Sequence, residues 1–469
     1  MSSPVNRPGF GSKPAAQGTR QAQSAPQSAT DLGAATPSAA GASGAASAAT
    51  PSQRGVDTRP LRRTRRDLAI TAGIAAVALV GVGAVWAGAP ARHAHLTDTA
   101  KAAQQENLAQ VPESLHESWR AQDASVPGVH APVAANNVVL TANGHTVTAK
   151  NPSSGETLWE YQRDDRELCS IGTAWKSAVL TFRNGAGCGD VTSIRLADGT
   201  YKDTRSAGNS DQVEPVVSND AVGTVSDQRT ELWRSDLVRT VEYGRVPAPQ
   251  EPKMQPHPGC TITSALTRKD NLAVTEVCPD SPGKTFLRLQ DRVPDDARKP
   301  EVTKDFTVSS PGAYLVAVES NGAAVYIPGA KPSEKAKVQS FFTDKTKPVA
   351  SDVDPVPNSE PTDSPELRQP ATQDLPHNMS WFDGARLHLF VPGSLEAGPV
   401  IDHALGLPEA IGEDLLVPVN EGIAVVNPHD GTQRRVIPVD RGGYTGEVSL
   451  KISGDAVLEK RGAEIVALR

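Results

Sequence analysis

The sequence predicts an all-β fold, a β-propeller with eight blades favoured and seven possible, preceded by a disordered tail and one transmembrane helix. Three features carry that reading. From Trp119 onward, short apolar runs are broken by Gly, Asn and Asp at hairpin spacing, and the pattern recurs. The last such unit stops one strand short, while a candidate for the missing strand stands before the first unit. Ahead of both lies an uncharged apolar run long enough to cross a bilayer.

The tail, residues 1–67, is built from Ala, Ser, Gly, Gln and Pro with almost no large apolar side chain, so it cannot bury enough surface to offset chain entropy. It holds nine Lys/Arg against three Asp/Glu, a charge of +6; the whole chain carries −7, which leaves −13 for the remainder. An acidic remainder without a basic stripe repels phosphate backbones, so nucleic acid is not an expected partner.

Residues 68–89 (LAITAGIAAVALVGVGAVWAGA) carry no charge, and about 22 residues of helix at about 1.5 Å each span about 33 Å, the thickness of a hydrocarbon core. Arg54, Arg59, Arg62, Arg63, Arg65 and Arg66 crowd the N-terminal side, only Arg92 follows closely, and Trp86 occupies the interfacial position. The positive-inside rule then predicts a single-pass cytoplasmic-membrane protein with its N-terminus in the cytoplasm and its larger part outside. A second reading stays open, because Thr64-Arg65-Arg66-Asp67-Leu68 partly resembles a twin-arginine export signal and Ala89-Pro90-Ala91 could be cleaved. Both readings export the remainder. Residues 90–118 are polar and read as a stalk, with an Ala/Gln/Glu-rich middle able to form a short helix before Pro112.

The domain over residues 119–469 then unfolds unit by unit. In the first, Val138 to Leu140, Val147 to Ala149 and Thr157 to Trp159 are strand cores, with Asn143-Gly144 and Ser154-Gly155 as turns. The second repeats this with Val179 to Phe182, Val191 to Ile194 and a turn at Asp198-Gly199. Six looser units follow, and eight over about 350 residues give a period of about 44, the span of a four-stranded blade. The competing architecture is an irregular pair of β-sandwiches. The ring is preferred because the final unit ends at Glu464 to Leu468, and Leu115 to Arg120, with Trp119, could supply its fourth strand and close the circle. Residues 344–376 interrupt the pattern with Pro, Ser and acids and read as a mobile loop, as does the Pro-rich stretch from Pro247.

On these residues a family resemblance emerges. AKNPSSGETLW, residues 149–159, resembles the repeat of pyrroloquinoline-quinone-like propellers, which include quinoprotein dehydrogenases and the BamB-like assembly factors. GCGDVTSIRLADGTY, residues 187–201, is similar to membrane-anchored actinobacterial propellers, a type that implies no particular chemistry. The blade motif reduces mainly to Ala149, Gly155 and Trp159, with Trp233 a weaker echo. The enzymatic branch of the family implies a quinone seated over a disulfide between adjacent cysteines, beside calcium. This chain has no neighbouring cysteine pair, so no cofactor and no catalysis are expected.

All four cysteines lie in the acidic part, which suits an oxidising compartment. The intervals are 188 − 169 = 19 and 278 − 260 = 18, and in each the first cysteine precedes an apolar run while the second follows one. Pairing Cys169 with Cys188 and Cys260 with Cys278 is therefore preferred among the three connectivities; buried free thiols remain the alternative. His257 near Cys260 is a weak metal signal. Asp352, Asp354, Asn358 and Glu360 lack the central glycine of a calcium loop, and His377, His388, His403 and His429 share no ligand spacing. No nucleophile elbow or phosphate-binding loop occurs.

The expectation is a non-enzymatic membrane-anchored propeller that binds or scaffolds envelope proteins or polymers, touching the lipid bilayer through residues 68–89. A transmembrane sensor is the alternative, and a degenerate quinoprotein enzyme is disfavoured.

Overall fold

The computed structural model describes residues 64–102, 106–246, 249–329, 334–357, 366–376 and 378–469. Most of the predicted tail, with Arg54, Arg59, Arg62 and Arg63, lies outside the described residues.

One α-helix, Arg65–Ala87, matches the apolar run, and none of its residues is buried by protein. It is long and apolar enough to cross a membrane. Its start has a local cause. Thr64 Oγ1 accepts the Asp67 amide at 3.2 Å, and Asp67 Oδ2 accepts the Thr64 amide at 3.0 Å, a reciprocal cap. The first four of the five residues that resemble an export signal thus form a capping box. At the other end the Arg92 guanidinium stacks over the Trp86 ring at 3.8 Å.

The remainder is an eight-bladed β-propeller, each blade an antiparallel sheet. The first strands are Val133–Ala135, Leu168–Ala174, Glu214–Ser218, Thr261–Arg268, Tyr314–Glu319, Ala371–Asp374, Glu409–Ile411 and Val448–Ser453, for blades 1 to 8. These pack beside one another around the axis. Burial follows radial position: the second strand of blade 3, Ala221–Val225, is buried at every residue because neighbouring blades cover both faces. The outer strand of blade 4, Val302–Val308, alternates exposed and half-buried residues.

The ring is closed by the strand Glu117–Gln122, which pairs antiparallel with Glu464–Leu468 and completes blade 8. Trp119 sits in that strand, its Nε1 donating to the Pro152 carbonyl of blade 1 at 2.8 Å. The same contact recurs one blade on: Trp159 Nε1 donates to the Leu196 carbonyl of blade 2 at 2.9 Å. Each indole lies over a turn glycine of the next blade. Gly155 has φ +72° and Gly199 φ +68°, and a Cβ on either would come within 3 Å of the indole's atoms. Ala149, fully buried, pairs with Trp159 across the strands. Trp233 departs from the expected echo. It lies on the third strand of blade 3, Arg229–Trp233, and its Nε1 turns back to Glu231 Oε1 at 3.1 Å.

Part of residues 90–118, read from the sequence as a stalk, is built into the ring. Ala94–Asp98 forms a fifth, outermost strand on blade 1, paired with Thr157–Arg163, so the ladder begins well before residue 119. On either side of residues 103–105 the described chain lies as a strap against one face of the ring. The Ala102 amide donates to Ala197 O of blade 2 at 2.8 Å, and the Leu108 amide to Gly454 O of blade 8 at 2.9 Å. Arg435 of blade 7 donates to Pro112 O at 2.8 Å. No α-helix forms there among the described residues. Backbone groups offered by blade turns capture the segment more strongly than its modest helix propensity orders it.

The interruption at 344–376 is also partly regular. Val349–Val353 is the outer strand of blade 5 and Ala371–Asp374 the inner strand of blade 6. Residues 358–365 lie outside the described residues, as do 247 and 248 of the other Pro-rich stretch.

Candidate functional site

The axis of the ring holds a cavity of about 750 Å³, lined by first strands and their turns from blades 1, 2, 3, 6, 7 and 8 and by Asn107 and Leu108 of the strap. A second cavity of about 230 Å³ shares Ala134, Thr173, Val217, Thr372, Gln373 and Lys451 with it, so the two are stacked on one axis.

Two chain segments line the far end of the second cavity: Gly128 to Pro132, which enters blade 1, and Gln369-Pro370, which enters blade 6. The Gln369 amide exchanges hydrogen bonds with the Ala265 backbone, accepting from its N–H and donating to its O, both at 2.8 Å. It also reaches Pro215 O at 3.3 Å. His130 is reached by solvent yet hemmed in by the surrounding blades. Its imidazole is pushed below the usual histidine value by loss of water, with a bond at the Gln369 backbone opposing and the Lys460 charge assisting.

At the wider mouth, ionic groups are paired. Glu409 Oε2 accepts from Lys451 Nζ at 2.8 Å and from Gln373 Nε2 at 3.1 Å, and Oε1 accepts from the Ala410 amide at 3.1 Å. Asp374 Oδ1 meets Arg268 Nη2 at 3.0 Å. Burial nevertheless raises the Asp374 carboxyl above its ordinary value, the Arg268 charge opposing. The turn joining the first two strands of blade 2 carries Trp175 and Lys176, at φ +52° and +59°. Blade 1 places Asn136 and Asn137 in the same conformation at the equivalent turn. Asparagine tolerates that region; an indole-bearing residue there is costly. Trp175 Nε1 donates to Asp220 O at 3.1 Å, which fixes the ring at the rim.

The cysteines form two disulfides, Cys169–Cys188 and Cys260–Cys278, with Cα separations of 6.0 and 4.2 Å. The first ties strands one and three of blade 2; the second closes the hairpin end of blade 4 beside the Thr261 to Val277 pair. Cys169–Cys188 also lines a cavity of about 620 Å³ with Glu167, Asp211, Glu214 and Glu366. Burial raises the Glu214 carboxyl there. His257, Cys260 and Glu276 converge, but the Cys260 sulfur is committed to its disulfide and offers no thiolate.

The other singled-out residues do not assemble. Asp354 pairs with Lys335 at 3.6 Å and Arg386 at 3.5 Å, Asp352 lies in a strand, and Asn358 and Glu360 lie outside the described residues. His388 is buried in blade 6, its Nε2 2.8 Å from Asp383 Oδ2 and its ring stacked on Trp381 at 4.6 Å. His403 and His429 are exposed and separate, and His377 is outside the described residues. Arg65 and Arg66 occupy the first helical turn and Trp86 the last.

The axial residues escaped sequence reasoning for a definite reason. Thr173-Ala-Trp-Lys-Ser177 contains no Gly, Asn, Asp or Pro, so nothing in its composition announces a turn, and Asn107 sits in a stretch that reads as helix.

No protein-family model and no curated protein matches the sequence. Among solved structures the chain is similar to quinohemoprotein alcohol dehydrogenase ADHIIG from Pseudomonas putida HK5, at 10% identity and TM-score 0.46, over 78% of each chain. It is similar to quinohemoprotein alcohol dehydrogenase from Comamonas testosteroni at 10% identity and TM-score 0.46, over 79% of this chain and 78% of that one. The computationally designed Ika8 protein is similar at 12% identity and TM-score 0.45, over 74% of this chain and 99% of that one. No activity follows from these values.

Proposed function

We propose that this chain is a non-enzymatic, membrane-anchored binding module of the cell envelope, with the axial cavity as its ligand site. One observation carries the reading. A polar cavity of about 750 Å³, within the range of small-molecule sites, receives side chains from blades 1, 2, 3, 6, 7 and 8 at the end where the strap crosses. Both carboxylates of the cavity are paired, Glu409 with Lys451 and Asp374 with Arg268, which supports binding over chemistry. The helix, uncharged from Leu68 to its end and carrying Arg65 and Arg66 in its first turn, supports anchorage with the ring outside, and two disulfides support an oxidising compartment.

A photo-reactive amino acid placed at Asn136 or Asn219 on the cavity's rim tests the site in intact cells. Adducts of defined mass are expected there and not from Val349 on an outer strand; equal labelling at both would refute the site. Anchorage is tested by alkaline carbonate extraction: the chain should stay in the membrane fraction at its full mass.

A second reading, sensing across the membrane, is favoured by the strap. Asn107 and Leu108 line the cavity and belong to the segment that follows the helix, so a ligand would touch the same stretch of chain. Deleting residues 1–60 should then abolish the cellular phenotype while leaving ligand binding unchanged.

A further inference from the structure

We infer that the ligand of the axial cavity is a neutral polyhydroxylated molecule, a short oligosaccharide, held with Trp175 as its platform; this rests on the cavity being the binding site. The mouth's carboxylates are already engaged by cations, Asp374 by Arg268 and Glu409 by Lys451, and the remaining charge, Lys176, sits exposed at the rim. An anion entering would meet two carboxylates, and a cation would have to displace Arg268 or Lys451, so neither sign of ligand charge is favoured.

Apart from the exposed Lys176 ammonium, what remains free is chemically uniform. Asn136, Thr173, Asn219 and Thr372 offer amides and hydroxyls on the lining. Ser453 adds a hydroxyl with no hydrogen-bond partner although the residue is 1% exposed. Such a buried group calls for a partner that can both donate and accept. Sugar hydroxyls do both. The indole supplies the complementary half: Trp175 is half-buried, its Nε1 is already spent on Asp220 O, and so its ring presents only apolar surface. An indole pinned at φ +52° beside a hydroxyl-rich cavity matches a ring with one C–H face and hydroxyls around its edge.

Full-length protein in a detergent without sugar headgroups, titrated calorimetrically with maltotriose, cellotriose and chitotriose, tests this. Saturable binding of at least one is expected. Trp175→Ala should weaken it at least about tenfold and Trp175→Phe only a few fold, with thermal unfolding unchanged to exclude misfolding. Affinity should stay within about threefold between low and high salt, because the ligand is neutral. Lack of saturable binding by all three saccharides, or binding indifferent to Trp175→Ala, overturns the inference. Citrate or tetra-alanine binding that Lys176→Asn or Trp175→Ala alters, with no saccharide bound, overturns the ligand class and leaves the cavity as the site. Loss of the rim-specific photo-adducts overturns the site itself.

Discussion

The indole of Trp119, on the strand that closes the ring, lies directly over Gly155 of blade 1, leaving no space for a β-carbon: one built there would stand 2.8 Å from the ring. The glycine also needs φ +72°. Gly155→Ala combines a strained backbone with a clash at the seam, so a loss of about 2 to 4 kcal/mol is expected. Gly144 has φ +57° with nothing within 4 Å of a built Cβ, and its alanine variant should lose only about 1 kcal/mol. Urea midpoints of the two variants at equal m-value check the difference.

The disulfides bracket sequence separations of 19 and 18 residues, so each should restrict the unfolded chain to a similar degree. Replacing either pair by serine should cost about 3 kcal/mol in the chain-entropy model. Non-reducing digestion should recover the Cys169–Cys188 and Cys260–Cys278 peptides, and dithiothreitol should bring the native chain down to the stability of the four-serine variant.

Blades 1 and 2 were legible because their turns use Asn-Gly, Ser-Gly and Asp-Gly, and the closing strand because blade 8 stops at Leu468 with an edge to cover. The inner strands were harder. Val133–Ala135 and Glu409–Ile411 have three residues each, too short for an alternation to register, yet they line the cavity. The strap was misread because Ala, Gln and Glu favour helix locally, whereas its order comes from blade turns far away in sequence, such as Gly454. Trp175 was missed because nothing in its own neighbourhood requires a tryptophan.

His130 gives the ring's floor a pH dependence. Its imidazole, though reached by solvent, is held below its ordinary value of 6.5 in the folded chain, chiefly by the water that the surrounding blades displace. As pH falls through 6.5, the unfolded chain takes up a proton that the folded chain does not, so stability is retained above that pH and lost below it. His130→Gln should flatten this part of the stability curve while other carboxylate-driven losses at lower pH persist. Urea titrations of both proteins between pH 7.5 and about 5 check the sign; identical slopes would show that His130 does not contribute.

The strap is held to blade 8 by a reciprocal pair: the Leu108 amide donates to Gly454 O at 2.9 Å, and the Gly454 amide to Asn107 Oδ1 at 2.8 Å. Asn107→Ala removes the second bond and leaves the Gly454 amide without its acceptor, a local loss of about 1 kcal/mol. The blade's core of Leu450, Ile452, Val457 and Val466, against which Leu108 of the strap also packs, keeps its apolar contacts in that variant. Amide exchange at Gly454 and Leu108 should therefore quicken by about fivefold or more while Val448–Ser453 keeps its protection. Exchange that quickens across the whole of blade 8 would mean that the strap is part of the blade's folding unit, and a ligand touching Asn107 would then act on the ring as a whole.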